Sequence, residues 1–267
     1  MHAGINNPHN NYYLDGILLP TVDSEKDLGV YVNSKLDWSD HIAASIKKAN
    51  ACISWISRTM ITRDASVMIN LYKSLVRPHP EYCVQLWSPK PRYGNWKVIM
   101  DIENVQRRYT RLIDGIGLRT YGERLNALSL TTLLERRARG DLIETFKIVG
   151  GLVSYGSKFF NISRSGKLIY PANYGKFSQR TSDFFSKRVV NYWNKLPSVV
   201  RNSKSVDQFK VNLENFKRTK HNVVGNYWEL SDEVLNRIKD DNRRSHTEYL
   251  LDHPFVAKFK GINIRNS

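Results

Sequence analysis

The chain has 267 residues, with 41 Lys+Arg against 25 Asp+Glu, a formal charge of +16 and a pI near 9.8. Hydrophobic residues make up 41% and charged ones 25%, and apolar runs such as Ile17-Leu18-Leu19 fall far short of the ~20 residues of a membrane span, which excludes a disordered tail and a membrane protein. Two cysteines, Cys52 and Cys83, build neither a disulfide framework nor a zinc site, and no basic-then-apolar leader opens the sequence; the expectation is an intracellular globule of one or two domains that attracts polyanions.

The first elements read as β. Tyr12-Tyr13-Leu14 and Ile17-Leu18-Leu19 flank Asp15-Gly16, a strong hairpin signal because both turn positions tolerate positive φ. Leu28-Gly29-Val30-Tyr31-Val32 reads as a third strand. Three short strands bury little alone, so this piece calls for a partner surface.

From residue 39 the period changes to 3.6. Ser39 is expected to cap a helix whose face is Ile42, Ile46, Ala49, Ile53 and Ile56. Asp64 caps the next, carrying Met68, Leu71, Tyr72 and Leu75 until Pro78 and Pro80 stop it. A third helix spans about 96–113, with Val98, Ile102, Val105, Tyr109 and Leu112 on one face, closed by Gly115 and Gly117. The fourth opens on the capping box Thr132-Leu133-Leu134-Glu135 and runs through Ala138, Leu142, Phe146 and Val149 to Gly150-Gly151.

Residues 151–181 read as a basic loop with a short hairpin. Helical pattern resumes with Phe185, Val189, Trp193 and Leu196, stopped by Pro197. It returns behind a second capping box, Ser205-Val206-Asp207-Gln208, with Phe209, Leu213 and Phe216. Beyond Gly225 lies a polar region with two short helical candidates. The fold class is therefore mainly α: a small N-terminal β-hairpin element (1–38), a helical bundle (39–150), a basic loop with helices (151–220) and a polar tail (221–267).

Most catalytic signatures are missing. There is no phosphate-cradling Gly-rich loop and no Gly-x-Gly-x-x-Gly after a strand. The histidines are scattered, and His79, between two prolines, favours a structural role over a ligand role. Two-metal phosphoryl transfer needs converging carboxylates; the one adjacent pair, Asp240-Asp241, ends a polar helical segment and reads as a solvated helix end. The residues point to no chemistry, no metal and no small-molecule substrate.

The cations are unevenly placed. Residues 151–220 carry 14 Lys+Arg against 3 Asp+Glu, about two thirds of the whole excess, which favours a binding face over general solubility. Arg107, Arg108 and Arg111 lie on the third helix, Arg136, Arg137 and Arg139 on the fourth, and Lys187 and Arg188 beside Phe185, Val189 and Trp193. For any single cluster an ordinary surface helix is an equal reading, with Glu103, Glu135, Asp141 and Glu144 as salt-bridge partners. Lys167, Lys176 and Arg180 stand among Tyr155, Phe159, Phe160, Tyr170, Tyr174 and Phe177, a mixture suited either to stacking bases while tracking a phosphate backbone or to anchoring a loop on the core. These eleven cations are the expected nucleic-acid contacts.

Ordered blocks run through nearly the whole chain: Glu25-Lys26-Asp27-Leu28-Gly29-Val30, Leu36-Asp37-Trp38-Ser39, Leu71-Tyr72-Lys73-Ser74-Leu75-Val76-Arg77-Pro78, Glu81-Tyr82-Cys83, Trp87-Ser88-Pro89, Glu103-Asn104-Val105-Gln106-Arg107-Arg108, Tyr121-Gly122-Glu123-Arg124-Leu125, Leu134-Glu135-Arg136-Arg137-Ala138-Arg139-Gly140-Asp141-Leu142 and Tyr192-Trp193-Asn194-Lys195-Leu196-Pro197. Together they resemble the region after the catalytic palm in reverse transcriptases of jockey-like non-LTR (LINE) retrotransposons.

The resemblance implies a late-palm hairpin, a thumb and a connection region of an RNA-directed DNA polymerase. Its paired aspartates, usually in a Phe-Ala-Asp-Asp segment, and its magnesium ligands would lie upstream of the equivalent of Met1, so no family catalytic residue falls on this chain. It also implies a hairpin shaped to pack on palm and fingers segments. The thumb of such enzymes grips the template–primer duplex by its backbone, so the implied partners are RNA, DNA or an RNA–DNA hybrid, with no cofactor held here. The expectation is a catalytically silent fragment that binds nucleic acid non-specifically. Its alternatives are one part of an active polymerase or a helical protein-interaction module.

Overall fold

A computed structural model of the protein describes residues 1–2, 7–89, 96–154, 159–165, 167–169 and 184–220. The chain is mainly α-helical, with small antiparallel strand pairs at its N-terminal end. Among the described residues no helix is long and apolar enough to cross a membrane.

Strands β1 (Tyr13–Leu14) and β2 (Ile17–Leu18) pair Tyr13 with Leu18 and Leu14 with Ile17. Asp15 (φ 49°) and Gly16 (φ 79°) make the turn the sequence announces. The apolar side chains from Tyr12 to Leu19 are 45–72% exposed. The expected third strand is two elements. Leu28 (φ 44°) and Gly29 (φ 89°) form a turn joining β3 (Ser24–Asp27) to β4 (Val30–Asn33). β3, Ser-Glu-Lys-Asp, lacks apolar alternation and so gives no strand signal.

The Tyr82 hydroxyl donates to the Leu28 carbonyl at 2.8 Å, and a Cβ at Gly29 would stand 3.3 Å from the Tyr82 ring. Gly29→Ala is therefore expected to cost about 1–2 kcal/mol of left-handed strain, with the ring displacement added. Gly16→Ala, with nothing within 4 Å, carries the backbone strain alone. Urea midpoints of the two variants should fall in that order, Gly29→Ala lower.

Helix α1 (Ser39–Thr59) buries the expected stripe, from Ile42 through Ala49 and Ile53 to Ile56. Ser39 does not cap it. The N-cap is Trp38, and Ser39 sits in the first turn, its N–H donating to Asp37 Oδ1 at 3.1 Å. Asp64 caps α2 (Ala65–Leu71) as expected, accepting from the N–H groups of Ser66 and Val67. The chain then widens into a π-helical turn, Tyr72–Val76, closed by Arg77 N–H donating to the Tyr72 carbonyl. The extra residue per turn keeps Met68, Tyr72 and Val76 on one buried line. It also turns Leu75, expected in the core, out to 39% exposure.

A 3₁₀ turn (His79–Glu81) and α3 (Val84–Trp87) lead to α4 (Trp96–Thr110). This helix stops a turn short of the expected 113. α5 (Tyr121–Ala127) was not foreseen; Thr120 and Glu123 cap it reciprocally. α6 (Leu133–Val149) opens on its expected box, Thr132 with Glu135.

Within the basic segment, β5 (Asn161–Ile162) and β6 (Leu168–Ile169) form a hairpin. The Asn194 amide holds it on α7 (Phe185–Lys195), accepting from Leu168 N–H and donating to its carbonyl, both at 2.9 Å. α8 (Ser198–Arg201) precedes α9 (Val206–Lys220), where Ser205 Oγ accepts from Gln208 N–H at 3.1 Å. Phe209 of α9 stacks on Phe146 of α6 at 4.5 Å and on Trp193 of α7 at 5.9 Å. One hydrophobic core thus takes side chains from α1, α4, α6, α7 and α9. Residues 221–267, including Asp240-Asp241, lie outside the described residues.

Candidate nucleic-acid interface

Cations contribute to a phosphate surface only where water can reach them, so burial sorts the eleven expected contacts. Arg107 is 3% exposed, with its guanidinium 5.0 Å from the Tyr121 ring centroid. Arg137, 1% exposed, lies within electrostatic reach of Glu103, Glu81 and Asp141, and burial pulls its ionisation below the ordinary value. Arg188, 4% exposed, donates to Asp141 from Nε (2.7 Å) and Nη2 (2.9 Å), and to the carbonyls of Val84 and Gln85. These three are interior groups. The expectation that they meet phosphate fails because their tertiary partners close over them.

Arg136 is half-buried and forked on the Glu81 carboxylate, a hydrogen bond that pushes its ionisation higher still. Arg139 and Lys187 are half-buried and Lys167 is exposed on the β5–β6 turn. Lys176 and Arg180 lie outside the described residues, as do Tyr155, Tyr170, Tyr174 and Phe177. Phe159 and Phe160 pack on Phe185 at 6.0 and 5.9 Å, so these two aromatics anchor the loop.

Arg108 and Arg111 remain on the surface, and the fold adds two cations that the sequence reading missed. α1 and α4 lie side by side and parallel: Ile42 shares a buried cluster with Ile102, Asn50 and Ser54 meet Arg108, and Arg63 carbonyl accepts from Asp114 N–H. Lys47, Asn50, Ser54 and Arg58 share one flank of α1 by helical spacing, and Arg108 reaches two of them, Asn50 Oδ1 at 3.3 Å and Ser54 Oγ at 3.4 Å. Lys47 and Arg58 are exposed on that flank, and Arg111 continues the stripe one turn past Arg108. Among the described residues no carboxylate pairs with any of the four; Asp101, on the same stripe of α4, is taken by Lys97 at 3.0 Å. From Lys47 to Arg58 the helix rises about 16 Å, roughly five 3.4 Å steps of a nucleic-acid strand.

This arrangement presents charge and amide or hydroxyl donors to a backbone and offers nothing shaped to read a base edge. Among the described residues no group of three or more His, Cys, Asp or Glu side chains could hold a metal ion. Comparisons with protein-family models, with curated proteins and with solved structures find no match.

Proposed function

We propose that the chain is the late-palm, thumb and connection region of a jockey-like non-LTR retrotransposon reverse transcriptase, and that it grips the phosphate backbone of a template–primer duplex without catalysing polymerisation itself. The ordered blocks of sequence support the family. The stripe of Lys47, Arg58, Arg108 and Arg111 across α1 and α4, none of the four paired with a carboxylate among the described residues, carries the binding. Magnesium belongs, on this reading, to palm residues that no position here supplies.

The test is a salt-titrated affinity for an RNA–DNA hybrid, with duplex DNA and single strands alongside. Four phosphate contacts predict that log K falls against log salt with a slope of about −3.5 on duplex, less steeply on single strands. Arg108→Glu with Arg111→Glu should weaken binding more than tenfold at low salt and flatten the slope by about two contacts. A slope near zero ends the proposal. Charge reversal at Arg136, Arg137 and Arg139, the obvious choice from sequence, tests something else, because Arg136 holds Glu81 and Arg137 is in the core. The second reading, a protein-interaction module, has its own observation in the exposed apolar hairpin from Tyr12 to Leu19; it predicts that the Arg108/Arg111 pair changes no nucleic-acid affinity.

A further inference from the structure

The opposite flank of α1 carries a different grouping. Cys52 Sγ lies 3.4 Å from His79 Nε2, and Lys48 sits one helical turn before Cys52. His79 is held from three sides. Pro78 and Pro80 bracket it with fixed φ, and Ser45 Oγ, one turn before Lys48's successor on the same helix, donates to its carbonyl at 2.5 Å. Both Cys52 and His79 are half-buried, so each residue keeps part of its surface in solvent. Burial first, and the Lys48 charge second, hold the His79 ring below its ordinary 6.5, so near pH 7 it is a neutral imidazole. In its Nε2–H tautomer such a ring donates to a thiolate. The nearest carboxylate in sequence, Glu81, is committed to Arg136, with Arg77 Nε 3.6 Å away.

We propose that Cys52 is a reactive thiol that forms mixed disulfides with small-molecule disulfides, with His79 and Lys48 meeting the negative charge on its sulfur. The thiol proton passes to water. The thiolate, accepting from His79 Nε2–H beside the Lys48 ammonium, attacks one sulfur of the disulfide; the new S–S bond forms as the old one breaks, and the other sulfur departs as a thiolate. The incoming disulfide is the oxidant and no other co-reactant is needed. Cys83 provides the internal comparison. It is exposed at the N-cap of α3, with no polar side-chain partner among the described residues.

The full-length protein is reacted at pH 7 with 5,5′-dithiobis(2-nitrobenzoate), an aromatic disulfide whose released thiolate is coloured. Cys83→Ser isolates Cys52, and Cys52→Ser isolates Cys83. Cys52 is expected to react at least tenfold faster than Cys83. In the Cys83→Ser background, Lys48→Ala should slow it severalfold and His79→Leu about tenfold, while His79→Gln, which keeps an N–H donor, retains most of the rate. Equal or faster reaction at Cys83 overturns the proposal, and so does a Cys52 rate that stays within twofold in Lys48→Ala. Lys48 is exposed, so its variant decides the matter even if His79→Leu fails to fold.

Discussion

Asp141→Ala is expected to remove about 3–5 kcal/mol of stability, a large part of the 5–15 typical of a folded domain. Asp141 on α6 holds Arg188 of α7 by two hydrogen bonds, and the same guanidinium reaches the carbonyls of Val84 and Gln85 in α3. Removing the carboxylate takes from a buried cation the two charge-assisted hydrogen bonds that Asp141 gives it. Removing both charges is different, because burying an ion pair already carries a desolvation penalty. Asp141→Leu with Arg188→Met should recover much of the loss. Urea unfolding of the two singles and the double gives the coupling directly. A buried pair is little screened, so the single-variant loss should change little with salt, unlike nucleic-acid affinity. A loss under about 1 kcal/mol for Asp141→Ala would mean the pair is wet and Arg188 is free to leave it.

That contrast separates two kinds of arginine that the sequence shows as one. Arg107 and Arg108 are neighbours on α4, yet one lies against Tyr121 and the other on the surface. Periodicity places Arg107 at the margin of the apolar face, and only a ring 14 positions downstream decides that it is enclosed. Arg188 and Asp141 are 47 positions apart, so nothing local announces their pair. The long helices were legible because burial of one face imposes its period on α1, α4, α6, α7 and α9. The caps at Asp64, Thr132 and Ser205 were legible because capping is local chemistry. The π turn at Tyr72–Val76 was not, since a single added residue leaves the apolar pattern readable in either register. Half of the candidate interface followed from Arg108 and Arg111. Lys47 and Arg58 did not, because they join it only once α1 and α4 are known to lie parallel and adjacent.

Glu103 is the second place where one substitution should approach the stability of the whole fold. Its carboxylate is fully buried at the N-terminus of α6, accepting from the N–H groups of Leu133 (3.1 Å) and Leu134 (3.3 Å) and from the Tyr121 hydroxyl. Tyr121 in turn accepts from Gln106, which accepts from Tyr72, so one chain of hydrogen bonds links the π turn, α4, α5 and α6. Glu103→Ala orphans three buried donors and removes the anion facing Arg137 and Arg107; about 3–5 kcal/mol should be lost. Glu103→Gln keeps an acceptor and should lose less. The pH dependence then tests which force rules the carboxyl. Burial raises it above the ordinary 4.5, opposed by the Tyr121 hydrogen bond and by Arg137. Below that ordinary value Glu103 is protonated in both folded and unfolded chains. As pH rises past it, the unfolded chain releases the proton first, so the contribution of Glu103 shrinks until the pH passes its folded value. The stability gap between the parent chain and Glu103→Gln should therefore narrow from about pH 4.5 upward and then level off. A gap that widens over that range would mean that Tyr121, the α6 amides and Arg137 together outweigh burial and hold the carboxylate below its ordinary value.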